Sequence, residues 1–311
     1  MRALLHYTAG PRLGDLLGEL AGDGLELGWS PEGDRAALFE ALATTEAVLH
    51  VLEPITAEVI DAAPRLRFIQ KLGVGVNTID LDAARARRVM VANMPGANAA
   101  AVAEMTVALL LAVLRRVPSF DRETRDGRGW PLDPAVPEGL GEVGGKTVGL
   151  VGYGDIARRV AAIVTAMGAT VVHHQRTRSP AGWLPLDDLL ATADVVSLHV
   201  PLTDETRLLL DARGIGLLKP TAVLVNTSRG GVVDQPALTA ALREGRLAGA
   251  GLDVFAVEPV DPSDPLLALA NVVVTPHVAW LTGDTLERCV RLGAENCRRL
   301  MRGDEPRHRV R

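Results

Sequence analysis

Three residues able to do acid–base and anion chemistry sit at the ends of apolar runs in the second half of this 311-residue chain. Arg229 follows Val223-Leu-Val-Asn-Thr-Ser228 and precedes a Gly-Gly pair. Glu258 lies shortly after Asp253 in Gly251-Leu-Asp-Val-Phe255, and His277 ends Val272-Val-Val-Thr-Pro-His277. Each run reads as a buried strand, and open parallel sheets place their ligands at the carboxyl ends of strands. Taken singly, the three are a turn arginine, a solvated loop glutamate and a hydrogen-bonded strand-end histidine. Their common position is what gives them chemical interest.

A glycine turn lies upstream. Gly152-Tyr153-Gly154-Asp155-Ile156-Ala157 stands where the apolar run 147–151 hands over to a helical pattern over 156–167, with a further strand pattern at 170–173. Glycines there allow a tight turn and let backbone amides and a helix N-terminus approach a pyrophosphate. Ala157 takes the third glycine position, a tolerated variant. Asp155 is less comfortable beside phosphates unless it points away. An acidic residue after the second strand would accept hydrogen bonds from an adenosine ribose 2′-hydroxyl, whereas an arginine favours a 2′-phosphate. Here Gln175 occupies that place and Arg176, Thr177 and Arg178 follow. NADP(H) is therefore the expected cofactor, with NAD(H) possible.

The elements that must position these residues alternate strand and helix along nearly the whole chain, the pattern of a parallel α/β fold. Strands are expected at 2–6, 47–52, 68–72 and 90–92, with helices at 34–42 and 81–87 between them. A long apolar helix runs over 98–116 with Asn98 as its cap, and being apolar all round it must be buried, for instance between subunits. The polar stretch 119–145 reads as a surface connector. Six strands follow at 147–151, 170–173, 195–198, 222–226, 249–253 and 272–275, enough for a dinucleotide-binding sheet. The last helical pattern, 284–301, could return to the first domain. The domains are then 1–96 with 284–311, and 97–283.

Composition narrows the class. A net charge of −5 without a basic block leaves no electrostatic footprint for nucleic acid. The most apolar stretch, 99–114, is interrupted by Glu104 and is shorter than the ~20 residues a membrane span needs. The opening residues carry neither the apolar core nor the cleavage site of a signal peptide, so a cytoplasmic location is expected. Cys289 and Cys297 would lie about 12 Å apart along one helix, too far for a disulfide, and are expected as reduced thiols. His173, His174 and His199 have no partner at metal-ligand spacing, so no metal is assigned.

Read together, the motifs resemble those of the D-isomer-specific 2-hydroxyacid dehydrogenases. The resemblance covers nearly all the chain: Gly73-Val-Gly-Val-Asn-Thr-Ile-Asp80, Asn93-Met-Pro-Gly96, the Gly152 turn, Asp194-Val-Val-Ser-Leu-His-Val-Pro-Leu-Thr203, Asn226-Thr-Ser-Arg-Gly-Gly231, Gly251 to Phe255 with Glu258-Pro259, and Thr275-Pro-His-Val-Ala279. It implies a flavodoxin-like substrate domain built from both chain ends, a Rossmann domain between, and an active site in the cleft. It also implies a homodimer through the helix 98–116. His277 would donate the proton to a 2-keto acid, Glu258 would orient it and stabilise its charged form, and Arg229 would hold the substrate carboxylate with the backbone amides of Val74 and Gly75. Asp253 would contact the nicotinamide end of the cofactor, with Val200, Pro201, Thr227 and Ser228 around its sugars and ring.

The absent acid at Gln175 departs from the NAD-using pattern and points to the NADP-using glyoxylate, hydroxypyruvate or hydroxyphenylpyruvate reductases. NAD-linked 2-hydroxyacid, phosphoglycerate and phosphite dehydrogenases are the alternatives, and a dinucleotide-sensing corepressor is a distant one. The regulatory domains of long phosphoglycerate dehydrogenases are not expected in these 311 residues.

Overall fold

Parallel strands alternate with helices throughout the computed structural model, which describes residues 1–130, 136–178 and 181–310. The chain divides into two units, Met1–Asn98 with Leu281–Arg311, and Ala99–Trp280. The first unit runs β1 (Arg2–His6), α1 (Pro11–Leu20), β2 (Glu26–Ser30), α2 (Arg35–Leu42), β3 (Ala47–His50), α3 (Ala57–Asp61), β4 (Phe68–Lys71), α4 (Leu81–Ala86) and β5 (Met90–Ala92). Its strands pair in parallel in the order β2-β1-β3-β4-β5, the flavodoxin-like order. Every residue of β3 and β4 is buried, as expected of strands covered on both faces. Strand β2 has no counterpart among the strands expected from the sequence. It is an edge strand, Glu-Leu-Gly-Trp-Ser, mostly open to solvent, so it lacks the apolar run by which a buried strand is recognised.

Local chemistry sets the helix starts. Asp34, Thr56 and Asp80 each accept a hydrogen bond from a backbone amide three residues on, satisfying a donor that the helix leaves orphaned.

The second unit runs α5 (Ala99–Leu114), α6 (Val117–Arg125), a short 3-10 turn at Val136–Gly139, then β6 (Thr147–Val151), α7 (Asp155–Ala166), β7 (Thr170–His174), α8 (Leu186–Thr192), β8 (Val195–Leu198), α9 (Ala212–Gly216), β9 (Val223–Asn226), α10 (Gln235–Arg243), β10 (Gly249–Leu252) and β11 (Val272–Val274). The expected connector over 119–145 is therefore partly helical, because α6 carries arginines in its last turn that suit a helix C-terminus. Positions 131–135 of that connector lie outside the described residues. Asn98 does not cap α5: its Oδ1 is buried and makes no hydrogen bond.

The second sheet has the order β11-β10-β9-β8-β6-β7. A single parallel bridge between His173 and Trp183 adds a vestigial strand outside β7. Counted so, the order from that edge is third, second, first, fourth, fifth and sixth, the arrangement of dinucleotide-binding sheets, extended by one strand. Alternate residues face opposite layers. Val148, Leu150, Val223 and Val225 pack with α5 and α7, while Val196, Leu198, Leu224 and Leu252 pack with α8, α9 and α10.

Helix α5 packs against β9, β10 and α7 of its own unit, with Met105 and residues 111–114 half-buried. It lies so close to β10 that a Cβ on Gly251 would sit 2.9 Å from Leu109 Cβ, and one on Gly249 2.7 Å from Val113 Cγ1. Helix α11 (Gly283–Met301) returns to the first sheet, where Asn296 Nδ2 donates to Gln70 Oε1 at 2.6 Å. Cys289 and Cys297 are free and buried on this helix, and burial pushes their thiols up to about 11 and about 12.

Candidate active site

The glycine turn begins where β6 ends. Gly152 has φ +91°, a left-handed value that glycine adopts at no steric cost, and a Cβ on it would lie 2.7 Å from the His199 carbonyl oxygen. Both the dihedral and the space require glycine. Gly154 precedes α7 in an extended conformation, and no side chain caps that helix. Its first-turn amides are thus available to an anion, and their partial positive charge favours one. Strand β6 pairs with β7 on one side and β8 on the other, which makes this the switch point where open sheets bind ligands. An uncapped helix N-terminus beneath a glycine that leaves no room for a side chain fits a dinucleotide pyrophosphate.

The neighbours of the turn are tied down. The Tyr153 ring stacks on His173 with centroids 3.9 Å apart, and the Arg158 guanidinium lies 5.7 Å from the Tyr153 centroid. Asp155 pairs with Arg158 at 3.6 Å, so its charge is partly compensated within the helix. Ile156 packs into the core beneath α7. Beyond β7, Gln175 uses its carbonyl oxygen to accept the Trp183 indole N–H at 2.9 Å. Thr177 is exposed. Arg176 reaches Glu205 at 3.5 Å, a residue that no strand-end pattern singles out. After β8, Val200 packs against the core and Pro201 is exposed, its carbonyl accepting the Thr206 hydroxyl at 2.5 Å.

The three chemical residues leave β9, β10 and β11, which are consecutive neighbours in the sheet. After β9, the buried Asn226 organises the turn. Its Oδ1 accepts from the Ser228 amide at 3.0 Å and the Ser228 hydroxyl at 2.8 Å, and its Nδ2 donates to the Arg229 carbonyl at 3.0 Å. Thr227 shares a hydrogen bond of 2.8 Å with Thr106 on α5. Arg229 donates to the Ser228 carbonyl at 2.6 Å. Burial pulls its guanidinium below the ordinary arginine value, and the nearby Glu258 carboxylate pulls it back up.

Gly230 seats this turn directly on the next loop, for a Cβ there would fall 1.9 Å from the Phe255 carbonyl carbon and oxygen. That loop carries Glu258. Glu258 Oε1 accepts the Phe255 amide at 2.9 Å, and the Ala256 amide donates to Gln235 Oε1 at 2.9 Å. Glu258 Oε2 then meets His277 Nδ1 at 2.6 Å. Burial alone would push the Glu258 carboxyl up, but the hydrogen bonds from His277 and Phe255 and the charges of His277 and Arg229 hold it below the usual glutamate value. Since a carboxylate only accepts, Nδ1 carries the hydrogen and Nε2 is the ring atom turned to other partners.

His277 has φ +55°, an uncommon backbone for a non-glycine residue. Its amide donates to the Asp253 carbonyl at 2.8 Å. The Asp253 side chain has no exposed surface. Its oxygens accept from the Thr275 hydroxyl at 2.5 Å and from the amides of Val278 and Ala279, each at 2.9 Å. Burial raises this carboxyl, and those three donors and His277 partly offset the rise. The contacts seen for Asp253 are therefore those of a clamp on the segment around His277, and none of its oxygens points outward.

Val74 and Gly75 belong to the first unit. Met94 donates its amide to the Gly73 carbonyl at 2.8 Å, and the Asn93 side chain donates to the Val74 carbonyl at 2.9 Å, leaving Val74 exposed. The sequence patterns do not single out Thr106, Gln235 or Glu205, each of which bonds to a site residue or its loop from a distant part of the chain and lies in none of the short motifs.

The sequence model of the family described as D-isomer specific 2-hydroxyacid dehydrogenase, NAD binding domain, matches residues 107–279. A protein named glyoxylate reductase from Korarchaeum cryptofilum is 40% identical over 290 residues, covering 89% of this chain and 87% of that one. One named D-3-phosphoglycerate dehydrogenase from Mycobacterium bovis is 41% identical over 291 residues, covering 91% of this chain and 54% of that one. Among solved structures, the NADPH-dependent glyoxylate/hydroxypyruvate reductase of Sinorhizobium meliloti, in complex with NADP and malonate, superposes with a TM-score of 0.84 at 31% identity, covering 99% of this chain and 96% of that one.

Proposed function

The chain belongs to the D-isomer specific 2-hydroxyacid dehydrogenase family, and from that premise we propose that it reduces a small 2-keto acid of the glyoxylate or hydroxypyruvate kind with NADPH as the favoured reductant. It is an oxidoreductase with a nicotinamide-dinucleotide domain. The single observation that carries the catalytic assignment is the Glu258–His277 contact of 2.6 Å at the end of the strand next to Arg229's.

In this reading the Gly152 to Ile156 turn binds the pyrophosphate, Gln175, Arg176 and Thr177 lie by the adenosine ribose, and Val200, Pro201, Thr227 and Ser228 line the path of the remaining sugar and ring. The dinucleotide, when bound, supplies the hydride that reduces the carbonyl carbon. Arg229 holds the substrate carboxylate through a charge-assisted pair, and the backbone amides of Val74 and Gly75 in the first unit are anion donors in this reading. Glu258 fixes the His277 ring through Nδ1 and stabilises its charged form. His277 then delivers the proton from Nε2 to the keto oxygen. In the oxidative direction the same atom accepts it. Asp253 acts through the segment it clamps, which carries His277.

NADPH preference is supported by the arginines after β7, by the missing acid at Gln175 and by the NADP-bound neighbour. Homodimer formation and a cytoplasmic location complete the reading. Light scattering on the purified chain tests the first, and cell fractionation the second. No helix among the described residues is long and apolar enough to cross a membrane.

Initial rates with glyoxylate and hydroxypyruvate, each with NADPH and NADH, test the function. Rapid turnover favouring NADPH is expected. D-3-phosphoglycerate oxidation with NAD is the contrasting arm, because a relative of similar identity bears that name. Turnover confined to that arm would overturn the substrate assignment.

A further inference from the structure

The end of β7 lacks the acid that would reject a 2′-phosphate, yet an acid stands beside it in space. Strand β6, which carries the Gly152 turn, lies between β7 and β8. The loops after β7 and β8 therefore flank the turn on opposite sides, and Arg176 Nη1 and Glu205 Oε2 link them at 3.5 Å.

Both loops are braced from within. On one side Trp183 donates to the Gln175 carbonyl at 2.9 Å, and the Arg178 guanidinium lies 5.4 Å from the Trp183 ring centroid. On the other, the Thr206 hydroxyl donates to the Pro201 carbonyl at 2.5 Å and accepts the Thr203 amide at 2.8 Å. This bracing sets where the two charges are carried, while their side chains stay 91% and 73% exposed and within reach of a ligand.

We propose that Glu205 is a specificity-determining residue for the dinucleotide, an acid supplied from the loop after β8 that engages Arg176 and opposes a 2′-phosphate there. The proposal rests on the reading that Arg176 meets that phosphate. Its sign follows from the geometry. A single long contact between exposed groups holds Arg176 only weakly, so removing it loses little pre-organisation. A carboxylate within reach of the same guanidinium competes with the phosphate for it and repels a group carrying nearly two negative charges. The pair parts when NADPH binds. An NADH ribose, having no phosphate, leaves it in place.

Dissociation constants of NADPH and NADH, measured by fluorescence titration on the full chain, its Glu205→Gln variant and its Arg176→Ala variant, test this. Glu205→Gln is expected to tighten NADPH about fivefold, the worth of one charge interaction at contact range between fully water-exposed groups, and to leave NADH unchanged. The gain should shrink in 1 M salt, where screening is nearly complete. Arg176→Ala should weaken NADPH selectively. If it does so while Glu205→Gln leaves NADPH unchanged, weakens it, or tightens NADH equally, the proposal falls and the NADPH reading stands. If Arg176→Ala affects both dinucleotides alike, the reading falls and the proposal with it. Thermal melts of the variants verify that each is folded.

Discussion

Glu258 and His277 leave the carboxyl ends of adjacent strands and meet with Oε2 2.6 Å from Nδ1. The contact occupies Nδ1, and in the proposed mechanism Nε2 is the atom that meets the substrate oxygen. His277→Ala should therefore lower kcat by ~10²–10⁴-fold, the usual share of a general acid, with the dissociation constant of NADPH nearly unchanged. Glu258→Gln keeps the shape and loses the charge, and should cost about one to two orders of magnitude in kcat. Near-normal turnover in His277→Ala would remove the histidine from the mechanism.

The acid side of the pH profile should report Glu258. Its carboxyl is held below the ordinary glutamate value of 4.5, so the folded chain keeps it ionised where an unfolded one begins to protonate. Its contribution is then present in full above the unfolded value and lost as the pH falls through the lower folded one. The gap in kcat/KM between wild type and Glu258→Gln should persist down to pH 4.5 and close below it. A gap that closes well above that pH would contradict the assignment.

Gly230 couples the turn of Arg229, the proposed substrate anchor, to the loop of Glu258. With 1.9 Å between the place a Cβ would take and the Phe255 carbonyl, Gly230→Ala must part the two loops, at a cost of about 1–3 kcal/mol, as for other overpacking changes. Calorimetry should show a lower Tm, and steady-state assays a kcat that falls together with a raised KM for the keto acid. A variant with unchanged Tm and kinetics would show that the loops separate freely.

Asp253 gives three donors their acceptor, the Thr275 hydroxyl and the amides of Val278 and Ala279. Asp253→Ala strands those donors in a buried place, and each unsatisfied group costs about 1–3 kcal/mol. Denaturant unfolding should register the loss. Activity should fall further than stability explains, because His277 at φ +55° depends on the same segment. If full activity survives in the folded fraction, the clamp does not position the histidine.

The strand and helix pattern was legible because buried parallel strands are short apolar runs and helix starts carry their own capping chemistry. Those are local properties. The edge strand β2 was not legible, since its mostly exposed residues carry no apolar signal, and neither was α6, in a stretch without clear periodicity. Asn98 shows the reverse failure, a residue type suited to capping whose oxygen makes no hydrogen bond.

The same division runs through the site. Residue type and spacing alone determined the glycine turn, the arginines after β7, and the three groups capable of holding a carboxylate and moving a proton, because each stands at a strand end marked by its own neighbours. Only the tertiary structure decided which of them meet. Glu258 finds His277 because β10 and β11 are adjacent, Asp253 turns inward onto the segment that begins at Thr275, and Arg176 finds Glu205 because β6 separates their two strands. Partnerships of that kind are set by strand order and by which loops come to share an edge, and strand order depends on long-range packing that local sequence pattern does not encode.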